Sequence, residues 1–302
     1  MTDPDSAGRL AVVTGANTGL GFETAKGLLR QHYRVVVAAR NPDKGHAAVA
    51  ALRGHCPEAE VRFEPLDLDG LDSVRDFAAR LRARETALDL LVNNAGIMAL
   101  PTREATRDGF ERQLGVNYLS HFLLTSLLLP LLRAAPASRV VQLSSLAHRG
   151  GRIDFDDLHG ERRYDPWRAY RQSKLAMLLF SQALQHYSDA HGWSLLSVAA
   201  HPGLSRTALF EHGVASRGMT GRLFRVMMPF ISQTAAGGAR PIVHAATAGD
   251  IRPGDYIGPA GPGETRGAPR RAHIGTNARD PAVAERLWQV SCELTGATWG
   301  RA

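Results

Sequence analysis

Strand-like apolar runs alternate with helix-length amphipathic segments along almost the whole chain, and this alternation constrains the fold more than any other feature. The strand runs fall at residues 10–13, 35–39, 61–64, 88–92, 139–143, 195–200 and 255–257. Between the first six lie predicted helices over 20–30, 42–53, 71–84, 108–133 and 167–191. A run such as Val35-Val36-Val37-Ala38-Ala39 is apolar throughout, as a strand buried on both faces must be. A βαβα order with such strands predicts an α/β fold of Rossmann type, a doubly wound parallel sheet in a three-layer α/β/α arrangement. No composition break or linker divides the 302 residues, so 1–302 reads as a single domain. Two stretches interrupt the rhythm. Residues 150–166 form a polar insertion, and 204–241 is rich in Met and Phe (Phe210, Met219, Phe224, Met227, Met228, Phe230). Because 204–241 follows a strand whose carboxyl end should face a ligand, it reads as a hydrophobic substrate lid, with packed core as the alternative. Pro241 is expected to interrupt a helix there, and 258–275 reads as an irregular surface loop.

Composition removes several function classes. A chain that is 44% hydrophobic and 22% charged is globular rather than disordered. Cys56 and Cys292 are too few for a disulfide framework or a multi-cysteine metal site, so no metal is expected and a reducing compartment is. The polar amino terminus lacks the pattern of a signal peptide, and the apolar run 122–132 is short for a membrane span. A soluble cytoplasmic protein is the expectation. The net charge of +7 comes from arginines scattered over every predicted helix, which reads as a solvated surface rather than a nucleic-acid interface. Lysine occurs only at 26, 44 and 174, so a well-placed lysine carries information.

Directly after the first strand comes Thr14-Gly15-Ala16-Asn17-Thr18-Gly19-Leu20-Gly21, opening into a helix. Glycines permit a tight turn and close backbone approach, and the free N–H groups of a helix start favour a pyrophosphate. A plain strand–helix turn is the alternative, but the strand before and helix after support a dinucleotide loop. The second strand ends at Arg40, 19 residues past Gly21, where an acidic residue would grip a ribose 2′-hydroxyl. Arg40, assisted by Lys44, instead suits a 2′-phosphate, which selects NADP(H). Further on, Tyr170 and Lys174 stand at i and i+4 on one predicted helix and therefore on one face. An ammonium beside a phenol favours the phenolate and makes proton exchange with an alcohol feasible.

With these residues on the page, the chain resembles the short-chain dehydrogenase/reductase family, in its single-domain branch. The resemblance runs from Arg9 to about Ile257 and rests on motifs in order: the glycine loop, Asp67-Leu68, Asn93-Asn94-Ala95-Gly96, Asn117, Ser144-Ser145, Tyr170 with Lys174, and Pro202-Gly203. It implies that Tyr170 is the general acid in reduction and the base in oxidation, and that Lys174 holds the nicotinamide ribose and depresses the Tyr170 pKa. It implies a serine that polarises the substrate carbonyl, Ser145 rather than Ser144, since the second of such a pair commonly serves. Asn117 resembles the residue that orients a water between Lys174 and solvent. Asp67 resembles an adenine-binding acid, with a helix cap as its local alternative, and Leu68 adds a backbone contact. Asn94, Ala95 and Gly96 would line the adenosine ribose, and Pro202, Gly203 and Thr207 the carboxamide. His148 and His201 fall near the same end and are assigned no catalytic role.

Ser145 and Tyr170 are 25 positions apart, about twice the usual family gap, because 150–166 intervenes. That longer version resembles the retinol-dehydrogenase-like members, which act on retinoids, steroids and other lipophilic alcohols or carbonyls. The resulting expectation is an NADP(H)-dependent oxidoreductase interconverting a ketone or aldehyde and an alcohol on a mainly apolar small molecule, with no nucleic-acid partner. Homo-oligomers through helices 108–133 and 167–191 are common in the family. The alternatives are a non-redox enzyme of epimerase or dehydratase type and a dinucleotide-binding regulatory protein. The loop spacing, with Thr18 where the epimerase branch has glycine, and the intact Ser145, Tyr170 and Lys174 speak against them.

Overall fold

The computed structural model describes residues 8–205 and 233–300. Within them the strands are β1 (Leu10–Thr14), β2 (Arg34–Ala39), β3 (Val61–Pro65), β4 (Leu90–Asn93), β5 (Ser138–Leu143), β6 (Leu195–Ala200), β7 (Tyr256–Pro259) and β8 (Pro269–Arg271). They form one sheet in the order β3-β2-β1-β4-β5-β6-β7-β8, parallel except for β8, which pairs antiparallel with β7. Neighbours β1 and β4 are non-consecutive, so the chain reverses its winding there and opens a crevice at the strands' carboxyl ends.

Alternate residues of each central strand serve opposite faces. Leu10 and Val12 of β1, with Val36 and Ala38 of β2, join the core under α3 (Leu71–Arg84), α4 (Arg112–Ala134) and α5 (Pro166–Ala190). Ala11, Val13, Val35 and Val37 join the other core, under α1 (Gly19–Leu29), α2 (Pro42–His55) and α6 (Ala235–Thr247). This is the expected α/β/α sandwich. Helix α4 contains one π turn at Gly115–Leu119 and is long and apolar enough to cross a bilayer, but 89% of its apolar window is buried inside the fold.

Three features depart from the sequence reading. Pro241 lies inside α6 without ending it: Thr234 caps the helix start through Gly237 N, and the helix packs on α1, with Val243 against Gly27. Residues 235–241 therefore belong to a sheet-covering helix rather than to the lid, while 206–232, with Thr207 and the Met and Phe set, lies outside the described residues. Residues 258–275 are not an irregular surface loop, because they carry β8 and a buried Glu264. Lastly, a further helix, α7 (Pro281–Thr295), starts at the Asp280 cap with Pro281 in its first turn and stops at Gly296 in the left-handed region, φ 67°.

Helix α7 covers the outer face of α4 and α5. Trp288 and Trp299, 4.5 Å apart, pack on Phe122, Phe180 and Tyr187 with ring centroids 5.1–6.3 Å away, and Tyr118 OH meets Ser291 Oγ at 2.7 Å. The apolar run 122–132 is thus occupied within the chain, on the helices expected to meet a second copy. Phe180 is 1% exposed and touches Tyr118, Phe122, Trp288 and Trp299. Phe180→Ala is expected to lower unfolding free energy by about 3–5 kcal/mol in a denaturant titration; a loss under about 1 kcal/mol would show that α7 adds little to the core.

Candidate active site

The loop after β1 is built for an anion. Gly15 adopts φ 66° and Gly19 φ 58°, and a Cβ at Gly21 would lie 2.4 Å from Gly15 O, so these positions demand glycine. Helix α1 has no side-chain cap at Thr18, whereas Asn41, Asp165 and Asp280 cap α2, α5 and α7. Its first N–H groups therefore stay available for a phosphate. Beside it runs a groove of about 300 Å³ lined by Gly15, Asn17, Arg40, Lys44, Asp67, Leu68, Ala95 and Gly96. Eight residues expected to hold the dinucleotide thus share one wall. Asn41, Asp69, Ile97, Arg112 and Val116 are among the other lining residues and were not expected. Thr18, Leu20 and Gly21 sit at the helix start above the groove.

Arg40 is exposed and has no carboxylate partner among the described residues, which leaves its guanidinium available. Asp67 is engaged: Oδ1 accepts from Asp69 N at 3.1 Å and Oδ2 pairs with Arg107. It does not cap α3, whose cap is Gly70. Asn94 is not on the groove wall. Its amide donates to Thr14 O at 2.7 Å and its N–H to Thr14 Oγ1 at 2.9 Å, tying the turn after β4 to β1.

Three side chains of the expected catalytic set meet beyond the groove. Lys174, one helical turn after Tyr170 on α5, lies with its Nζ 5.9 Å from the Tyr170 ring centre. The Tyr170 hydroxyl lies near the side chain of Ser145, whose Oγ accepts from Ala147 N at 3.2 Å. Ser144 turns away and donates to Lys174 O at 2.7 Å, so Ser145 is the serine beside the phenol. Burial pushes the Tyr170 phenol up to about 12, an effect the Ser145 side chain opposes. Burial also pulls the Lys174 ammonium down to about 8. Lys174 is 4% exposed, and the one protein hydrogen-bond partner of its Nζ among the described residues is Leu143 O at 3.0 Å. A buried ammonium with three donors and one acceptor suits a ligand rich in hydroxyls, such as a ribose. Met98, Ala99, Ala147 and Trp167 pack around Tyr170 and give the site an apolar wall.

Asn117 occupies the π turn of α4, and its groups are taken. Oδ1 accepts from Ile97 N at 2.8 Å, and Nδ2 donates to Ile97 O and to Ser173 Oγ. Its carbonyl accepts from His121 Nδ1 at 2.8 Å. These bonds clamp the 94–97 turn, which places Gly96 3.4 Å or less, at its would-be Cβ, from Lys174 Nζ and Asn117 Oδ1. His121 was missed by sequence reasoning, although its position four residues after Asn117 on one helix face was a usable signal. It is fully buried, with Nε2 2.9 Å from Thr14 Oγ1, and burial holds it down to about 4 and hence neutral. Pro202 and Gly203 follow β6 at the same edge of the sheet, outside the adenosine groove, with Gly203 at φ 63°.

Comparison with known proteins agrees with this geometry. Residues 9–217 match the family model described as short chain dehydrogenase. The chain is 40% identical to mouse (Mus musculus) retinol dehydrogenase 12 over 300 residues, covering 99% of this chain and 90% of that one. It is 42% identical to mouse polyprenol dehydrogenase over 307 residues, covering 98% and 87%. A crystal structure of an uncharacterised Mycobacterium paratuberculosis protein superposes with a TM-score of 0.80 at 39% identity, covering 98% of this chain and 96% of that one. A nicotinamide dinucleotide is the cofactor that this fold and groove accommodate. The chain belongs to the short-chain dehydrogenase family and is an oxidoreductase acting on CH–OH or C=O groups.

Proposed function

We propose that the protein is an NADP(H)-dependent oxidoreductase that interconverts a ketone or aldehyde and an alcohol on a mainly apolar small molecule, in a cytoplasmic setting. The observation that carries this reading is the Tyr170 phenol placed against Ser145, near the Lys174 ammonium and inside the apolar wall of Met98, Ala99, Ala147 and Trp167. The names of the similar proteins, retinol and polyprenol dehydrogenases, denote long apolar alcohols, and such a wall suits that class.

A dinucleotide held by the glycine loop, Arg40 and Lys174 would supply or accept the hydride. In reduction, Ser145 Oγ–H donates to the substrate carbonyl oxygen and draws charge onto it. Tyr170 Oη gives its proton to that oxygen, so the carbonyl carbon gains a hydride, the oxygen gains a proton and the product is an alcohol. Lys174 stabilises the phenolate that remains and holds the ribose hydroxyls. Met98 and Trp167 keep water from the reacting carbonyl. Arg40 selects the 2′-phosphate, and cells usually keep that dinucleotide reduced, which favours the reductive direction.

The first test follows NADPH and NADH absorbance with retinal, steroid ketones and other lipophilic aldehydes and ketones. Consumption of NADPH well ahead of NADH supports the reading; equal use of both overturns the role of Arg40. Arg40→Ala is expected to raise the KM for NADPH about 10–100-fold and leave that for NADH nearly unchanged, the loss of one charge-assisted hydrogen bond. Tyr170→Phe should lower kcat by on the order of 10²–10⁴ while the NADPH dissociation constant, read by fluorescence titration, stays the same. Retained turnover would remove Tyr170 from the chemistry. The pH dependence has a definite sign. A phenol held near 12 by burial is protonated at neutral pH and ready to donate, whereas alcohol oxidation needs it deprotonated. Oxidation should therefore speed up between about pH 7 and 9.5 while reduction stays level or falls; initial rates in both directions across that range check this.

A further inference from the structure

Behind the turn that follows Ser145 lies a second concentration of buried charge. Glu264 enters from the chain between β7 and β8, at φ 57° after Gly263 at φ 60°, and its side chain is 8% exposed. Its Oε2 accepts from Arg149 Nη2 at 2.6 Å and from His201 Nε2 at 3.1 Å, and its Oε1 accepts from His273 N at 2.9 Å. The partners of His201 assign its tautomer. Nδ1 accepts from Gly203 N at 3.2 Å and so carries no hydrogen, which leaves Nε2 to donate to Glu264. Burial keeps this ring neutral, down to about 4, against the pull of Glu264. Burial alone would raise the Glu264 carboxyl, but the His273 N–H, the Arg149 charge and His201 together hold it below the usual range.

His148 shows the same logic with the opposite tautomer. Its Nδ1 donates to Ser145 O at 2.7 Å and its Nε2 accepts from Gly275 N at 3.2 Å, while the Tyr256 ring packs against both histidines. Asn277 Nδ2 reaches His148 O and Gly151 O. Two of the three ties from Glu264, those to Arg149 and His201, end beside the proposed site. Arg149 belongs to the turn Leu146–Gly150 that Ser145 caps. His201 precedes Pro202-Gly203, and this turn is pressed on the same segment, with Leu204 N donating to Thr265 O at 2.9 Å.

We infer that Glu264 is a positioning residue of the reaction, whose carboxylate joins the Ser145 turn to the Pro202–Gly203 turn and so fixes the carbonyl-polarising hydroxyl relative to the backbone expected to face the nicotinamide. It touches no reacting atom. A buried carboxylate shared by a guanidinium and an imidazole N–H is costly to leave half-paired, so the two turns are ordered together. The inference rests on the role proposed for Ser145, and its test separates the two.

Hydrogen exchange by mass spectrometry, NADPH titration and steady-state turnover are compared for wild type, Glu264→Gln and Arg149→Gln. Glu264→Gln keeps the size of the side chain and removes the charge that Arg149 faces. Exchange is expected to rise about tenfold or more at residues 146–151 and 201–205, with β1 to β3 unchanged, as local opening of these turns becomes easier. kcat should fall about tenfold, and the double variant should be no worse than the worse single one, as for residues acting as a unit. Unchanged exchange in both turns, or kcat within about twofold of wild type in a folded Glu264→Gln protein, overturns the inference. If Glu264→Gln does not fold, Arg149→Gln, whose arginine side chain is 35% exposed, carries the test. Faster exchange at 201–205, which Arg149 does not touch, supports the coupling, and a change confined to 146–151 overturns it. Wild-type protein that binds no NADPH would sink the cofactor reading while the exchange comparison still decides on Glu264.

Discussion

One hydroxyl group holds the two halves of the site in register. Thr14 Oγ1 accepts from Asn94 N and Ala95 N, both at 2.9 Å, and lies 2.9 Å from His121 Nε2. With both lone pairs committed to backbone donors, its single hydrogen goes to the imidazole, which must then be unprotonated at Nε2 and donate from Nδ1 to Asn117 O. The chain of bonds joins the end of β1, the turn after β4 and the π turn of α4. Those are the elements that place the glycine loop, Gly96 and Asn117 about a single crevice. Thr14, Asn94, Asn117 and His121 are buried and Ala95 half-buried, so a missing partner would cost most of the desolvation of whatever was left unpaired. The bond set is therefore closed, and the π turn is what makes it possible: an extra residue in that turn brings the Asn117 amide onto both polar groups of Ile97 while its carbonyl stays within reach of His121.

The electrostatics of the catalytic centre follow from that scaffold. Lys174 and Tyr170 are both held out of water, and burial moves each toward its neutral form, the ammonium down and the phenol up. Left alone, such a pair is poorly matched for base chemistry. On the proposed reading, a dinucleotide in the groove would reverse the balance, by bringing hydroxyls to an ammonium that has one protein acceptor. A charged Lys174 would then favour the phenolate across a low-dielectric gap, where the attraction is far stronger than in water. The apolar residues around Tyr170 keep this gap low in dielectric, which the proposed chemistry and a lipophilic substrate would both use.

Much of this was legible in the sequence, for a physical reason. Strands buried on both faces must be apolar at consecutive positions, so β1, β2, β5 and β6 announce themselves, and with them the parallel sheet and its crevice. A glycine loop between strand and helix, and a tyrosine and lysine one helical turn apart, are local patterns whose chemistry needs no distant partner. Arg40 could be placed because its distance from the loop is a length of helix plus a length of strand. Pro241 misled because proline removes one N–H and a packed helix can tolerate that loss, here with Gly27 and Gly238 permitting close contact with α1 and Ser205. Asn94 and Asn117 both stand at the site, but their bonds to Thr14 and Ile97 are made to backbone groups that only the folded chain brings near.

The region from 258 onward was the least legible, and the cause is its non-locality. β8 is Pro269-Arg270-Arg271, an edge strand whose membership comes from backbone pairing with β7 and not from any apolar period. Glu264 sits in a Gly-Pro-Gly-Glu stretch that reads as a turn at the surface. Its partners are 115 and 63 residues away in the chain, and they converge on it only because β5, β6 and β7 are neighbours in the sheet, which carries Arg149 and His201 to the same edge as the segment after β7. Even the room for this cluster is set by a distant glycine: a Cβ at Gly258 would lie 1.9 Å from His201 Nε2, so the imidazole reaches Glu264 across a position that admits no side chain. A buried acid of this kind is invisible to periodicity and to motif spacing alike, and it becomes interpretable only when the topology says which turns it stands between.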